Sequence, residues 1–421
     1  MNTFKINAAT LYAPGNKFHQ QVVDVLIKEG KISKIAKKIK NDSTVEVIEG
    51  KGNILSAGFF DLNVNFGEPG LETKEDIRTG VEAAACGGFT AVAVHPNTVP
   101  PIHSRTEVSL VINSSKGLLV DVLPVGTISK NREGKELAEM YDMKLNGAIA
   151  FSDGNKSVQE AGLMSRALLY AKGFEGLVFS FPQDHSISAD SKMNEGVVST
   201  YLGMKGIPNL AESLMVSRDI YLAEYNNSPI HFSTISTAES VDLIKKAQSK
   251  GLKVTCDVAA HHLLFTDEEV MSFDSNFKVS PPLRTKKDIK ALHKGLKDGT
   301  INAIVSQHTP HEVEFKNVEF HIAKSGITGL QTVLPILVQA GLGIDLIIDK
   351  LAIAPRQLFD LEVPSFEEGT SANFVLFNVE EKWLFNEQSN RSKSSNNPLF
   401  GKELTGKVKA VFNNNILNLN N

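Results

Sequence analysis

The chain has 421 residues, of which 42% are hydrophobic and 22% charged, with a formal net charge of −4 from 44 basic and 48 acidic side chains. That length fits one large core with a smaller satellite domain. The near-balanced charge argues against nucleic acid or an anionic membrane as partner. The N-terminal Met1-Asn2-Thr3-Phe4-Lys5-Ile6 alternates polar with apolar and lacks the apolar run of a signal peptide. No stretch of about 18 apolar residues offers a membrane span. Cys86 and Cys256 lie beside apolar runs and read as buried free thiols, as in a reducing cytoplasm.

In chain order, short strands come first. Phe4–Ile6, Gln21–Ile27, Ile32–Ile35 and Val45–Ile48 are separated by turn signals such as Lys28-Glu29-Gly30-Lys31, the pattern of a small β-sandwich. Near residue 54 the pattern changes, and buried strand candidates alternate with helices. Ile54–Asp61 reads as one buried strand, and Lys74–Cys86 as a helix capped by Thr73 and stopped by Gly87-Gly88. Further strands are expected at Thr90–Val94, Asp121–Val125, Gly147–Phe151, Leu177–Phe181, Pro229–Phe232, Lys253–Val258 and Ala303–Ser306. Ser236–Lys250 reads as a crossover helix with Val241, Leu243, Ile244 and Ala247 on one side. Eight such strands with intervening helices fit a closed parallel (β/α)8 barrel. Strands return at Ala372–Phe377 and Gly406–Phe412, flanking a polar run, Asn386–Asn397, expected to be a mobile loop. The division expected is therefore 1–54 and 361–421 as two parts of one β-sandwich, with 55–360 as the barrel.

Several short segments, in order, carry a family resemblance. They include Ala57-Gly58-Phe59-Phe60-Asp61 with Glu68-Pro69-Gly70, Gly87-Gly88-Phe89-Thr90, Pro96-Asn97-Thr98, Phe151-Ser152-Asp153 and Met193-Asn194-Glu195-Gly196. Later come His261-His262-Leu263, Pro281-Pro282-Leu283-Arg284, and His308 with Pro310-His311. Together they resemble the dihydroorotases, in the type related to allantoinases and hydantoinases. The resemblance implies an amidohydrolase (β/α)8 barrel whose strand ends hold a zinc pair. Such a pair would activate water and polarise the carbonyl of a cyclic amide.

Carried over position by position, the resemblance also shows what this chain has replaced. The first strand of the family ends in His-x-His, and here those positions are Asn63 and Asn65. The arginine that grips the substrate carboxylate becomes Gly67, which removes a bidentate cation. The bridging carboxylate is retained as Asp153. The next two ligand histidines correspond to Phe181 and Thr234, and the catalytic aspartate corresponds to Gln307. An amide has no useful pKa for taking a proton from metal-bound water. On the substrate side, Ser280 and His95 replace the expected Asn and Met, while Asn97 and His311 are retained.

Two readings stand for most of these residues. Asp153 is a leftover ligand or a carboxylate tying strand-end loops. Asn97 and His311 belong to a residual pocket or support loops. Asn63 and Asn65 are expected to bond each other and a neighbouring loop. His231, His261, His262 and His308 read as packed, hydrogen-bonded histidines. A different site, with three of His95, His185, His231, His308 and His311 converging on one zinc, is the rival arrangement.

The expectation for function is a catalytically silent dihydroorotase homologue of pyrimidine biosynthesis, without a metal, acting as a structural or regulatory partner. The resemblance implies aspartate carbamoyltransferase as the candidate partner and a homodimer as the default assembly. One alternative is a zinc-dependent cyclic amidohydrolase with a rearranged site, acting on dihydroorotate or on an allantoin- or hydantoin-like substrate. Another is a small-molecule sensor built on the vestigial pocket.

Overall fold

A computed structural model describes residues 3–40 and 42–420. Met1 and Asn2, the start of the alternating N-terminal run, lie outside the described residues.

The first strand, Phe4–Tyr12, pairs antiparallel with Gln21–Lys28, which pairs in turn with Lys31–Ala36. The last two are joined by Glu29-Gly30, both at positive φ (50° and 75°), as a two-residue hairpin turn requires. The C-terminal strands Phe374–Leu384, Glu403–Asn413 and Ile416–Leu419 join the same eight-stranded sheet. The two chain ends thus share one core, in which the Phe4 ring lies 5.2 Å from Phe412 and 6.3 Å from Phe374.

The expected strand at 54–61 is two strands with different partners. Ile54–Ser56 belongs to this flanking sheet, between Thr10–Tyr12 and Val375–Phe377. Phe59–Val64 belongs to the barrel. The crossing point is Gly58, where a Cβ would run into the Thr90 side chain. A continuous apolar run cannot reveal such a change of partner, because both halves are buried.

The barrel consists of Phe59–Val64, Phe89–Val94, Asp121–Gly126, Ala150–Phe151, Val178–Ser180, Ile230–Phe232, Val254–Ala259 and Ala303–Val305, each parallel to its neighbour. The eighth strand returns to the first. Val64 bridges His308, the Asn65 amide donates to the His308 carbonyl (2.8 Å), and the Ser306 amide donates to the Asp61 carboxylate (3.0 Å). This is the (β/α)8 barrel with a flanking β-structure built from both termini.

Two helix expectations are adjusted. The first barrel helix is Ile77–Cys86, and its N-cap is Asp76, not Thr73. The Asp76 carboxylate accepts from the Thr79 amide (2.8 Å), directly ahead of the buried Ile77, where a negative charge also suits the helix dipole. Thr73 donates instead to Glu312 (2.7 Å). The crossover helix runs Ala238–Ser249 behind Thr237, with Val241, Ile244 and Ala247 buried and Leu243 only partly so. Cys256 is buried, whereas Cys86 is only partly so, which corrects the expectation of two buried thiols; both are free. No helix among the described residues is long and apolar enough to cross a membrane.

Candidate functional site at the barrel mouth

The C-terminal ends of the barrel strands surround a cavity of about 400 Å³. Nine positions singled out in the sequence reach it: Asn63, Asn65, Gly67, His95, Asn97, Phe181, Ser280, Gln307 and His311. Asp153 and Thr234 do not.

Each of the six expected metal positions is occupied with other bonding. Asn63 and Asn65 do not bond each other. The Asn63 amide donates to the Ser233 and Thr234 hydroxyls (3.3 and 3.2 Å). The Asn65 amide donates to the His308 carbonyl and the Thr309 hydroxyl, both at 2.9 Å, while its carbonyl oxygen accepts from Asn97. The Asp153 carboxylate accepts from the amides of Ile128 (3.0 Å) and Ser129 (2.9 Å) and from the Ser129 hydroxyl. It faces a neighbouring cleft that also contains His185, and burial raises its pKa. Phe181 contributes a ring to the cavity wall. Thr234 is fully buried, bonded through its amide to Asp257 (2.7 Å). The Gln307 side-chain amide donates to the Ser280 carbonyl (2.7 Å).

These residues do not fit a zinc pair. Zinc takes imidazole nitrogen, thiolate and carboxylate. Here those six positions offer amides already engaged with hydroxyls and carbonyls, a phenyl ring, a buried hydroxyl, and a carboxylate turned to backbone amides. The rival convergence of histidines does not form either. His95 lies on the Leu62 carbonyl (3.1 Å), His231 between Thr255 and Asp257 (2.9 Å each), His308 on Glu75 (3.3 Å), and His311 on the Ser325 carbonyl (3.0 Å). Among the described residues, no three His, Cys, Asp or Glu side chains are grouped so as to hold a metal ion. Burial pushes His95 and His311 down to about 4, so both imidazoles are neutral near pH 7. His261 and His262 are buried in a short 3₁₀ turn, where His262 holds the Pro281 carbonyl (3.0 Å).

The backbone around position 67 is tightly folded. The Gly67 amide donates to the Glu75 carbonyl (2.8 Å), and the Leu71 amide donates to the Gly67 carbonyl (2.8 Å). A Cβ on Gly67 would overlap the Leu71 carbonyl oxygen. In this conformation residues 67–75 leave no room for a side chain at position 67. At two of the expected metal positions the backbone is left-handed: Thr234 has φ +59° and Gln307 φ +50°. For a β-branched threonine that conformation is strained.

Sequence reasoning missed two parts of the mouth. The first is its charge: Lys74, Arg132 and Lys324 line the cavity and no carboxylate does. They are scattered over three loops, so no local pattern announces them. The second is the polar run 386–397, which is an ordered strap and not a mobile loop. Ser392 donates to the buried Glu75 carboxylate, as does the Lys393 amide (3.2 Å). Asn396 accepts from the His311 amide (3.0 Å) and donates to the Thr309 and Gly326 carbonyls (3.1 Å each). Asn397 donates to the Thr328 carbonyl (2.7 Å). Short polar side chains there satisfy buried backbone groups of the mouth loops, and that fixes the run in place.

Comparison with known proteins agrees with this architecture. Residues 52–240 match the family described as dihydro-orotase-like. The chain is 40% identical over 391 residues to a dihydroorotase of Geotalea daltonii, covering 92% of each chain. It is 41% identical over 408 residues to a dihydroorotase of Caldicellulosiruptor saccharolyticus, covering 95% of each. Among solved structures, an L-hydantoinase (dihydropyrimidinase) from Arthrobacter aurescens shares the fold, with a TM-score of 0.85 at 20% identity over 99% of this chain and 96% of that one. Similarity at 40% identity along nine-tenths of the length establishes the relationship, and the chain belongs to the dihydroorotase family of amidohydrolases.

Proposed function

We propose that this protein is a non-hydrolytic member of its family, serving pyrimidine biosynthesis as a structural or regulatory partner. The observation that carries this reading is the donor set at the mouth. Five of the six metal positions hold Asn63, Asn65, Phe181, Thr234 and Gln307, and the sixth, Asp153, spends its carboxylate on Ile128 and Ser129. A hydrolase of this type needs a strong nucleophile and a charge to stabilise the tetrahedral intermediate. Neutral amides and a phenyl ring supply neither. The test is hydrolysis of dihydroorotate, and its reverse with carbamoyl aspartate, by the purified chain with zinc added. The expected rate is that of buffer, and zinc-dependent turnover would overturn the reading. Aspartate carbamoyltransferase is the partner proposed; co-purification from native extract is expected, and failure to recover it removes that candidate.

A second reading is a metal-dependent cyclic amidohydrolase with a rearranged site. It is favoured by the identity of 40–41% to proteins named dihydroorotase along more than nine-tenths of the chain. The same turnover assay separates the two.

A further inference from the structure

We propose that a second cavity, separate from the barrel mouth, binds a small ligand made of a flat aromatic ring and one anionic group, with Trp383 against the ring and Arg391 and Lys407 on the anion. The inference goes beyond the non-hydrolytic reading and holds whether or not the chain turns over a substrate.

The cavity lies where the barrel meets the flanking sheet. It is lined from helix Val333–Gln339, from strands Phe374–Leu384 and Glu403–Asn413, and from the start of the strap. Its volume is about 350 Å³, which is the scale of small-molecule sites. It shares no lining residue with the mouth cavity.

The apolar part of the lining is Leu334, Pro335, Leu384 and Val408 around Trp383, the only tryptophan of the chain. Trp383 is half-buried and held by its edge. Its indole N–H donates to the Gly406 carbonyl (2.8 Å), and Phe385 packs edge-on at 5.7 Å. Those contacts fix the ring before any ligand arrives. Beside it Leu384 is 49% exposed. An oriented indole and an open leucine on a concave wall suit a flat aromatic ring.

The charged part of the lining is positive. Arg391 and Lys407 contribute to the wall, and no carboxylate does. Glu381 stands outside it and is shared by Lys407 (3.4 Å) and Lys409 (2.8 Å), so one carboxylate answers two ammonium groups. Arg391 has no carboxylate at ion-pair distance among the described residues. Its Nη1 donates to the carbonyls of Gln388 (2.8 Å) and Asn390 (3.4 Å), which steadies the guanidinium. The Cys86 thiol adds no negative charge, because burial raises its pKa. A steadied guanidinium with an ammonium on the same wall suits a phosphate or a carboxylate.

The strap joins this cavity to the mouth. Gln331 donates to the Ser389 carbonyl (2.9 Å) and accepts from the Arg391 amide (2.8 Å). One residue on, Ser392 reaches Glu75, and further along Asn396 accepts from the His311 amide. A ligand clamped between Arg391 and Lys407 therefore ties the start of the strap to the flanking sheet.

The test uses the full chain, in which tryptophan fluorescence reports on Trp383 alone. The probes are AMP and UMP as ring-bearing phosphates, benzoate as a ring-bearing carboxylate, adenosine as a neutral ring, and inorganic phosphate as an anion without a ring. A saturable change in emission is expected with a nucleotide or with benzoate, and which of them gives it identifies the source of the anion. That ligand is expected to bind about tenfold or more tightly than adenosine or phosphate, with affinity falling as salt is raised. In calorimetry, Arg391→Met and Lys407→Met are each expected to weaken it about tenfold, the loss of one charge-assisted contact. Trp383→Leu is expected to weaken it as well, and the two charge variants carry the test should that protein fail to fold. Lys74→Met, at the mouth, is expected to bind as the parent does. Amide exchange across residues 389–396 is expected to slow on binding. No saturable change with any ring-bearing anion, equal affinity for adenosine or phosphate, unchanged binding by both charge variants, or binding lost in Lys74→Met would each overturn the proposal. Unchanged exchange would overturn the tie to the strap. Zinc-dependent turnover would sink the non-hydrolytic reading and leave these titrations as they are.

Discussion

The barrel interior and the barrel mouth treat charge in opposite ways. In the interior, Asp61, Asp257 and His231 are all fully buried. Asp257 accepts from His231 (2.9 Å) and from the Thr234 amide (2.7 Å), and Asp61 accepts from the amides of Asn63 (2.9 Å) and Ser306 (3.0 Å). At the mouth, Lys74, Arg132 and Lys324 face a cavity with no carboxylate on its wall. The interior groups are held by hydrogen bonds, since a buried polar group without partners costs about 1–3 kcal/mol. The mouth cations meet opposing charge only from behind the wall, Glu312 near Lys74 and Asp153 near Arg132.

That contrast can be broken at several points. The largest effect is expected in the interior: Asp257→Ala strands His231 and the Thr234 amide and should cost about 3–5 kcal/mol, read by urea denaturation. A loss below about 1 kcal/mol would mean the interior network is not what holds the strands in register. The strap comes next. Asn396→Ala leaves the His311 amide and two carbonyls without their partner, at a cost of about 1–3 kcal/mol, with faster amide exchange expected at residue 311.

A smaller effect concerns pH. Burial holds His95 and His262 down at about 4. A histidine depressed below its unfolded value near 6.5 contributes stability above pH 6.5 that is lost as the pH falls through 4. Asp61, raised to about 7 by burial, works in the opposite sense, losing its contribution as pH rises from about 4 to 7. The variant His262→Gln isolates one group: its stability curve should fall less steeply than the parent's between pH 6.5 and 4, and parallel curves would contradict the assignment. The smallest effect is expected at the mouth, where Lys324→Ala should change stability by no more than about 0.5 kcal/mol, read by the same denaturation. A larger destabilisation would place that lysine in the fold.

Much of this was legible in the sequence. Eight buried runs separated by helix-length segments specify the barrel, and segments such as Thr90–Val94 and Lys253–Val258 lie within a residue or so of their strands. The residues gathered at the mouth could also be located from the motifs beside them: Pro310-His311 marks where Gln307 stands, and Asn97 lies in Pro96-Asn97-Thr98. What failed to show was whatever depends on a partner distant in sequence. Ile54–Asp61 divides between two sheets according to Thr10 and Val375 on one side and Thr90 on the other. Asn386–Asn397 has the composition of a mobile segment, yet Glu75 and Thr309 hold it. Lys74, Arg132 and Lys324 are ordinary surface residues until the barrel closes.

Most depends on the donor set at the mouth, which does not suit a metal pair. Metal content of the chain purified from zinc-replete cells, counted per polypeptide after brief dialysis, tests this directly. The account predicts well under one equivalent. About two equivalents, as a binuclear site would hold, removed by chelator together with a hydrolytic activity, would contradict it.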